Sequence, residues 1–216
     1  MVASPEAAGS AAVKRSGELV ALADWRRRVF DLYHEVRAAS DPAEAWRLWR
    51  AGRDHLFARH PQSPLPEGER AGFRGLAYFE YEPSARVLAT VVPVEPMTLD
   101  IRASGNGAYR FTRFCNATFE LGGQSLALNL FWLDGYGGGI YLPFADATSG
   151  TASYGAGRYL LDTVKGADLG TEAGRLVLDF NFAYNPSCAY DRRWICPLAP
   201  PANRLPVDIR AGERIA

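Results

Sequence analysis

A chain of 216 residues with 24 basic and 24 acidic side chains has no net charge, so no overall field draws it to nucleic acid or to a membrane surface. Its hydrophobic share of 48% and charged share of 22% are ordinary for a globular domain, and no apolar run approaches the ~20 residues that span a bilayer. The length suits one domain. The odd cysteine count and the lack of an apolar leader in residues 1–17 lead to the expectation of a cytoplasmic protein with free thiols.

Residues 1–17 are small and polar without a period and read as a disordered tail. From residue 18 onward Leu22, Trp25, Val29, Leu32, Tyr33 and Val36 recur at helical spacing, which predicts a helix over 18–38. Asp41 as cap, Pro42 in the first turn and Glu44 as a capping-box partner start a second helix. Its apolar face is Ala45, Trp46, Trp49, Leu56 and Phe57, and Pro61 ends it. These two helices (18–60) are expected to cap the domain that continues to residue 216. After Arg70 the period becomes two. Segments 76–81, 86–91, 98–102, 109–114, 117–121, 124–133, 140–144, 158–163 and 175–182 read as about nine short strands joined by turns. Gly105-Asn106-Gly107 and Gly122-Gly123 are the tightest of those turns. The class is mainly β (α+β), and residues 71–183 are expected to form an antiparallel meander closing into a barrel or half-barrel, which would remove exposed strand edges. On the 124–133 strand Leu126, Leu128, Leu130 and Trp132 are assigned one face. Residues 184–216 are read as a strap, proline-rich over 197–206 and pinned by Asn203 and Arg204.

Alternation along 175–182 puts Leu176, Leu178, Phe180 and Phe182 on one face and Val177, Asp179 and Asn181 on the other. If that second face looks into a cleft, Asp179 is a candidate general acid or base and Asn181 an orienting amide. The plainer alternative is an aspartate holding a loop amide. Asp146 and Thr148 precede Gly150 in what is either an Asx-turn or the lip of a pocket. Tyr154, Gly155 and Gly157 lead to Arg158, which could clamp an anion in two-point fashion, although Gly-x-Gly before a strand is commonly only a bend. Arg113, Tyr184, Asn185 and Cys188 complete the candidate substrate-binding set, with Asp179, Asp146 and Tyr154 as the catalytic set. Cys188 and Cys196 form no Cys-x-x-Cys, and His34, His55 and His60 all lie in or beside the helical segment. No metal site and no cofactor is therefore expected. A nucleophilic Cys188 would need a distant base such as His60, and a buried thiol acting as a small hydrophobe is the simpler account.

The motifs HPQSPL (60–65), FRGLAYFEY (73–81), YLPFADATSG (141–150), YGAGRYL (154–160), DFNFAYNPSCAY (179–190) and CPLAPPANRLP (196–206) together resemble the bacterial and archaeal family labelled domain of unknown function 1684. The resemblance covers residues from about 25 to 213 and carries no activity with it. It maps family motif positions onto Asp146, Thr148, Tyr154, Gly155, Arg158, Asp179, Asn181, Tyr184, Asn185, Cys188 and Asn203. The chain departs from the family pattern at Ala145, at Thr151-Ala152-Ser153 and at Ala202, where the family carries charged residues. Those departures imply a more apolar or differently shaped pocket, suited to a specialised-metabolism substrate.

The resulting expectation is a metal-independent enzyme acting on a small molecule by acid–base chemistry in a β-barrel pocket. The alternative is a non-catalytic barrel that binds a small apolar ligand. Partners are then a small-molecule ligand or substrate, not nucleic acid or membrane, and a homodimer is compatible with either reading.

Overall fold

The computed structural model describes residues 5–215, with side chains from residue 15 onward. Helix α1 (Pro5–Ala38) starts well before residue 18, so residues 5–17, expected as a tail, form its first turns, while residues 1–4 of that tail lie outside the described residues. Helix α2 (Pro42–Arg59) is capped by Asp41, whose carboxylate accepts the Ala43 N–H at 2.9 Å. Glu44 does not complete the capping box; it pairs with Arg47 instead. The buried face of α2 is Ala45, Trp46, Trp49, Leu56 and Phe57, and its first three residues pack with Tyr33, Val36, Tyr78 and Phe182 in one aromatic-rich cluster. A one-turn helix, α3 (Glu67–Arg70), follows the proline loop.

The seven strands are β1 (Arg86–Arg102), β2 (Ala108–Leu121), β3 (Gln124–Leu133), β4 (Ile140–Phe144), β5 (Arg158–Asp162), β6 (Thr171–Glu172) and β7 (Arg175–Asp179). They pair antiparallel in the order β5-β4-β3-β2-β1-β7-β6. The sheet is open, so the expected barrel is corrected: β5 and β6 are its two edges and do not meet. Neither edge offers a long template to a second chain. β6 has only 2 residues, and β5 is covered where Tyr159 and Tyr184 exchange backbone hydrogen bonds at 2.8 and 3.0 Å. The strand count falls short of the expectation because β1 runs through Pro93 and Pro96 with a bulge between Pro93 and Met97, absorbing two predicted strands. The two predicted strands over 109–121 likewise merge into β2, with an irregularity between Arg113 and Cys115. The segment 76–81 is not a strand; it makes an isolated bridge from Tyr78 to Glu213 of the strap.

Each face of the sheet carries a buried apolar cluster, while much of β1 is exposed. Leu128, Leu130, Leu142, Phe144, Leu160 and Phe180 form one core with Leu205, Ile209 and Ala211 of the strap. Their sequence neighbours Phe131, Tyr141 and Tyr159 form a second cluster with Ile101 and Phe111, because adjacent strand residues point to opposite faces. Trp132, assigned to one face with Leu126, Leu128 and Leu130, does not join the buried side there. It is 42% exposed while Phe131 is buried, since at this end of β3 the covered side is the one Phe131 looks toward. The alternation predicted over 175–182 also breaks: β7 ends at Asp179, and Phe180–Phe182 is a 3-10 turn that sends Phe180 into the sheet core and Phe182 into the helical cap.

Candidate functional site

The residues singled out from the sequence separate into distinct places in the fold. Asp146, Thr148 and Arg158 come together, but away from any solvent. The Asp146 carboxylate accepts the Thr148 N–H at 2.7 Å, the Thr148 hydroxyl at 2.5 Å and an Arg158 guanidinium nitrogen at 2.7 Å. Both side chains of the ion pair are 0% exposed. Arg158 also donates to the carbonyls of Ile209, Ala211 and Glu213, and so clasps the strap to the end of β5. This arrangement is an Asx-turn tied to a buried clamp, and it holds nothing that could meet a substrate. Gly155 and Gly157 serve the bend that leads into it: Gly157 has φ +91° and no room for a side chain against the Phe144 carbonyl.

Asp179 and Asn181 form a second group. Asp179 accepts the Asn181 N–H at 3.0 Å and its side-chain amide at 2.8 Å, while Asn181 exchanges hydrogen bonds with the backbone of Glu82 at 2.9 and 2.8 Å. The Trp46 indole donates to the Asn181 carbonyl. This network joins the cap to the sheet. Asp179 borders a wide, open groove of about 440 Å³ beside Arg37, Arg86 and Glu172. Burial, partly countered by the Asn181 bonds, raises its pKa. Asp146 does not share that groove, so the two carboxylates expected to act together do not. Arg113 is separate again, half-buried on the β1–β2 ribbon and 3.4 Å from the Glu95 carbonyl. Ala145 and Ala202 sit where the strap crosses the sheet, so their lack of charge shapes that junction.

The remaining candidates, Tyr184 and Asn185, line a different feature that sequence reasoning did not assemble. Between α1 and the aromatic face of the sheet lies a cleft of about 290 Å³, bounded by Leu22 and Trp25 of α1, Phe111 and Tyr141 of the sheet, and Lys165 and Cys196 from the loops. Next to it, sharing Trp25, Lys165 and Cys196 as wall residues, is a smaller cavity of about 80 Å³ lined by Tyr33, Trp49, Arg53, Tyr159, Tyr184 and Asn185. Loop 190–197 is stitched down as one rim. Tyr109, Tyr141 and Tyr159 donate to the carbonyls of Ile195 and Pro197, and Trp194 donates to the Pro64 carbonyl at 3.2 Å.

Polar groups enter this apolar space at two points. At the mouth, Lys165 bonds Asp162 at 2.8 Å, with about half of its side chain still exposed. Burial opposes its charge, yet the Asp162 carboxylate more than compensates and raises its pKa. Three residues of the smaller cavity bury a polar atom without a hydrogen-bond partner: the Tyr33 hydroxyl, the Trp49 indole nitrogen and the Asn185 side-chain oxygen. Such groups are uncommon in folded proteins. Burial drives the Tyr33, Tyr141, Tyr159 and Tyr184 phenols up, so they remain neutral donors. Behind the cavity, the buried Glu213 accepts from Arg53 at 2.7 Å, from the Asn185 N–H at 3.0 Å and from the Tyr190 hydroxyl. Burial raises its carboxyl to about 7 despite Arg53 beside it.

Tyr154 and Cys188 lie together, phenol to thiol at 3.9 Å, near the cleft wall formed by Ser187 and Cys196. Among the described residues no three His, Cys, Asp or Glu side chains are gathered to hold a metal ion, and no helix is long and apolar enough to cross a membrane.

An open antiparallel sheet, roofed by a helical hairpin and bound by a C-terminal strap, is the class these features define. The profile of a family described as "Protein of unknown function (DUF1684)" matches residues 71–214. The solution NMR structure of the uncharacterized protein from gene locus rrnAC0354 of Haloarcula marismortui is similar, at 38% identity over 77% of this chain and 90% of that one, with a TM-score of 0.56. No curated protein matches. The chain belongs to the DUF1684 family. The matched residues include the sheet, the strap and the inner wall of the cleft; Trp25, Tyr33, Trp49 and Arg53 of the helical roof lie outside them.

Proposed function

We propose that the protein binds a small molecule with an apolar or aromatic body in the cleft beneath α1. The observation that carries this reading is that Tyr33, Trp49 and Asn185, each with a buried polar atom lacking a hydrogen-bond partner, line a small cavity beside a wider aromatic cleft. Binding pockets combine apolar walls with a few placed polar groups, and the cavity walls carry such groups on Tyr33, Trp49 and Asn185, which a ligand's polar end would have to reach by displacing their neighbours. Lys165 and the exposed Arg26 border the mouth, with Asp162 as the acidic group there. That balance favours a ligand carrying one anionic group, such as an aromatic monocarboxylate.

The test is thermal unfolding of the whole chain against a panel of small aromatic acids, their neutral amides and polyanions, repeated with Ala167→Leu, which fills the smaller cavity from its wall. A rise in Tm with aromatic acids that disappears in Ala167→Leu, while the variant unfolds cooperatively, supports the assignment. Equal shifts in both proteins, or a preference for polyanions, would count against it.

A second reading, acid–base catalysis on the bound molecule, is favoured by one observation: Glu213 stands near neutrality, one hydrogen bond behind Arg53 and Asn185. Under that reading Glu213 positions the polar floor and stores a proton. Turnover with a bell-shaped pH profile that flattens in Glu213→Gln would support it; a bound ligand recovered unchanged would not.

A further inference from the structure

We propose that the groove beside Asp179 is a second ligand site and takes a small zwitterion, a free α-amino acid with an apolar side chain. The groove, of about 440 Å³, runs between the α1–α2 turn and the short edge of the sheet, a size usual for small-molecule sites. It shares no wall residue with the cleft or the smaller cavity beneath α1. Asp179 lies in its floor and is only 1% exposed. One carboxylate oxygen takes both bonds from Asn181. Among the described residues the other oxygen accepts no hydrogen bond, and it stays open to the groove.

A carboxylate withdrawn from water calls for a bonded counter-charge, and the fold leaves Asp179 without one. Arg86 stands directly opposite it in the β1–β7 pairing but donates to Glu172 at 2.7 Å instead. Burial accordingly raises the Asp179 carboxyl, against the Asn181 bonds and the charge of Arg86. A ligand ammonium on the free oxygen supplies the missing charge.

The same groove holds donors for a ligand carboxylate. Residues opposite each other in an antiparallel pair have Cβ atoms about 5 Å apart on one face, so Arg86 is held beside Asp179. It spends one nitrogen on Glu172, and Arg37 on the facing rim spends one on the Asp168 carbonyl. A guanidinium carries five N–H donors, so both keep capacity for a second acceptor. The ammonium and carboxylate of an α-amino acid leave the same carbon, which suits an acid and an arginine set side by side. Val36, Val177 and Phe182 are buried in the groove wall and offer its side chain an apolar bed. A simple anion would meet Asp179 there and a simple cation would meet two arginines, whereas a zwitterion answers both.

The experiment follows the amide NMR spectrum of the isotope-labelled full chain as L-leucine is added, then isocaproate, which lacks the ammonium, and isoamylamine, which lacks the carboxylate. With leucine the shifts should saturate and centre on Ala39, Ser40, Arg86 and Asp179, not on Lys165 and Cys196 of the cleft. Each analogue should bind at least about tenfold more weakly, the loss expected for one charge-assisted hydrogen bond. That comparison uses the native chain alone and does not depend on any variant folding. Asp179→Asn keeps an oxygen for Asn181 and loses the charge, so it should weaken leucine at least about tenfold and spare isocaproate. The proposal is overturned by leucine giving no saturable shift, by shifts centred on the cleft, by isocaproate binding as tightly as leucine, or by Asp179→Asn weakening both alike.

Discussion

Asp146 and Glu213 are both buried acids beside an arginine, yet their surroundings give them different behaviour. Asp146 meets Arg158, a backbone N–H and a hydroxyl, all within 2.7 Å, and is sealed on every side. Removing it would strand the Arg158 guanidinium, so Asp146→Ala should lose about 3–5 kcal/mol, the range for breaking a buried pair. Urea unfolding would register this as a lower midpoint at unchanged slope; a loss within about 1 kcal/mol would mean the clasp is not structural. Glu213, in contrast, has too little compensation for its burial and titrates at about 7. In the unfolded chain the same carboxyl titrates near ~4.3. The folded state thus holds the proton more tightly, so the stability this group contributes is complete below about pH 4.3 and lost as pH rises through about 7. The gap is worth roughly 4 kcal/mol. Glu213→Gln, a fixed stand-in for the protonated acid, should therefore gain in Tm relative to wild type between pH 5 and pH 8. Asp179 shifts in the same direction, so the difference between the two proteins isolates the contribution of Glu213. A pH-independent difference would show that Glu213 is ionised in the fold from low pH.

At the scale of elements, the strap is what converts an open sheet into a closed core. Asn203 is fully buried and completes its hydrogen bonding against β3 and β4: its amide donates to the carbonyls of Asn129 and Pro143, and its oxygen accepts from the Asn129 backbone and side chain. Further along, Gly212 crosses the Phe180–Phe182 turn at φ +77°, where an added Cβ would stand 2.6 Å from the carbonyl oxygens of both Phe180 and Ala183. Gly212→Ala therefore combines an unfavourable backbone conformation with a clash against rigid backbone, and should cost at least about 2 kcal/mol. Thermal unfolding of that variant against Gly174→Ala, which shares a positive φ of 73° but meets nothing within 4 Å, separates the clash from the dihedral. Equal losses would assign the effect to conformation alone. What the sequence disclosed follows the same division between local and distant. Strands β3 and β4 and helix α2 were legible to the residue because alternation, turn glycines and the Asp41 cap are local signals. The path of β1 through Pro93 and Pro96 was not, since a bulge that keeps a strand paired looks like a break until its partner is known. Barrel closure failed for a similar reason: whether the first and last strands meet is decided by β6 being 2 residues long and by Tyr184 covering β5. Asp146, Arg158, Asp179 and Asn181 stood out as polar residues in motifs, and the fold uses them as internal fasteners. The cleft went unseen because its walls come from residues scattered between Leu22 and Pro197, and the motifs that reach it supply only one or two wall residues each.

Across the whole molecule, the helical cap and the sheet core meet through three consecutive residues. Phe180 packs with Phe119 and Phe144 of the sheet at ring distances of 5.7 and 5.1 Å. Asn181 bonds Glu82 and Trp46, and Phe182 packs on Trp49 at 5.1 Å. Such a shared turn makes cap and sheet unfold as one unit, because neither cluster can open without exposing a ring that belongs to the turn. Three tryptophans, Trp25, Trp46 and Trp49, report on the cap, whereas far-UV dichroism near the strand band reports on the sheet. In the wild-type chain the two signals should follow a single urea transition. Phe182→Ala removes the ring under Trp49 and should cost about 3–5 kcal/mol, with most of that loss on the cap side. The tryptophan transition should then move to lower urea than the sheet transition, and the combined curve should broaden. Coincident midpoints in Phe182→Ala would show that other contacts carry the coupling, the Arg53–Glu213 pair across α2 and the strap being the first to test. Separate midpoints already in the wild type would mean that the roof of the cleft opens independently of the sheet beneath it.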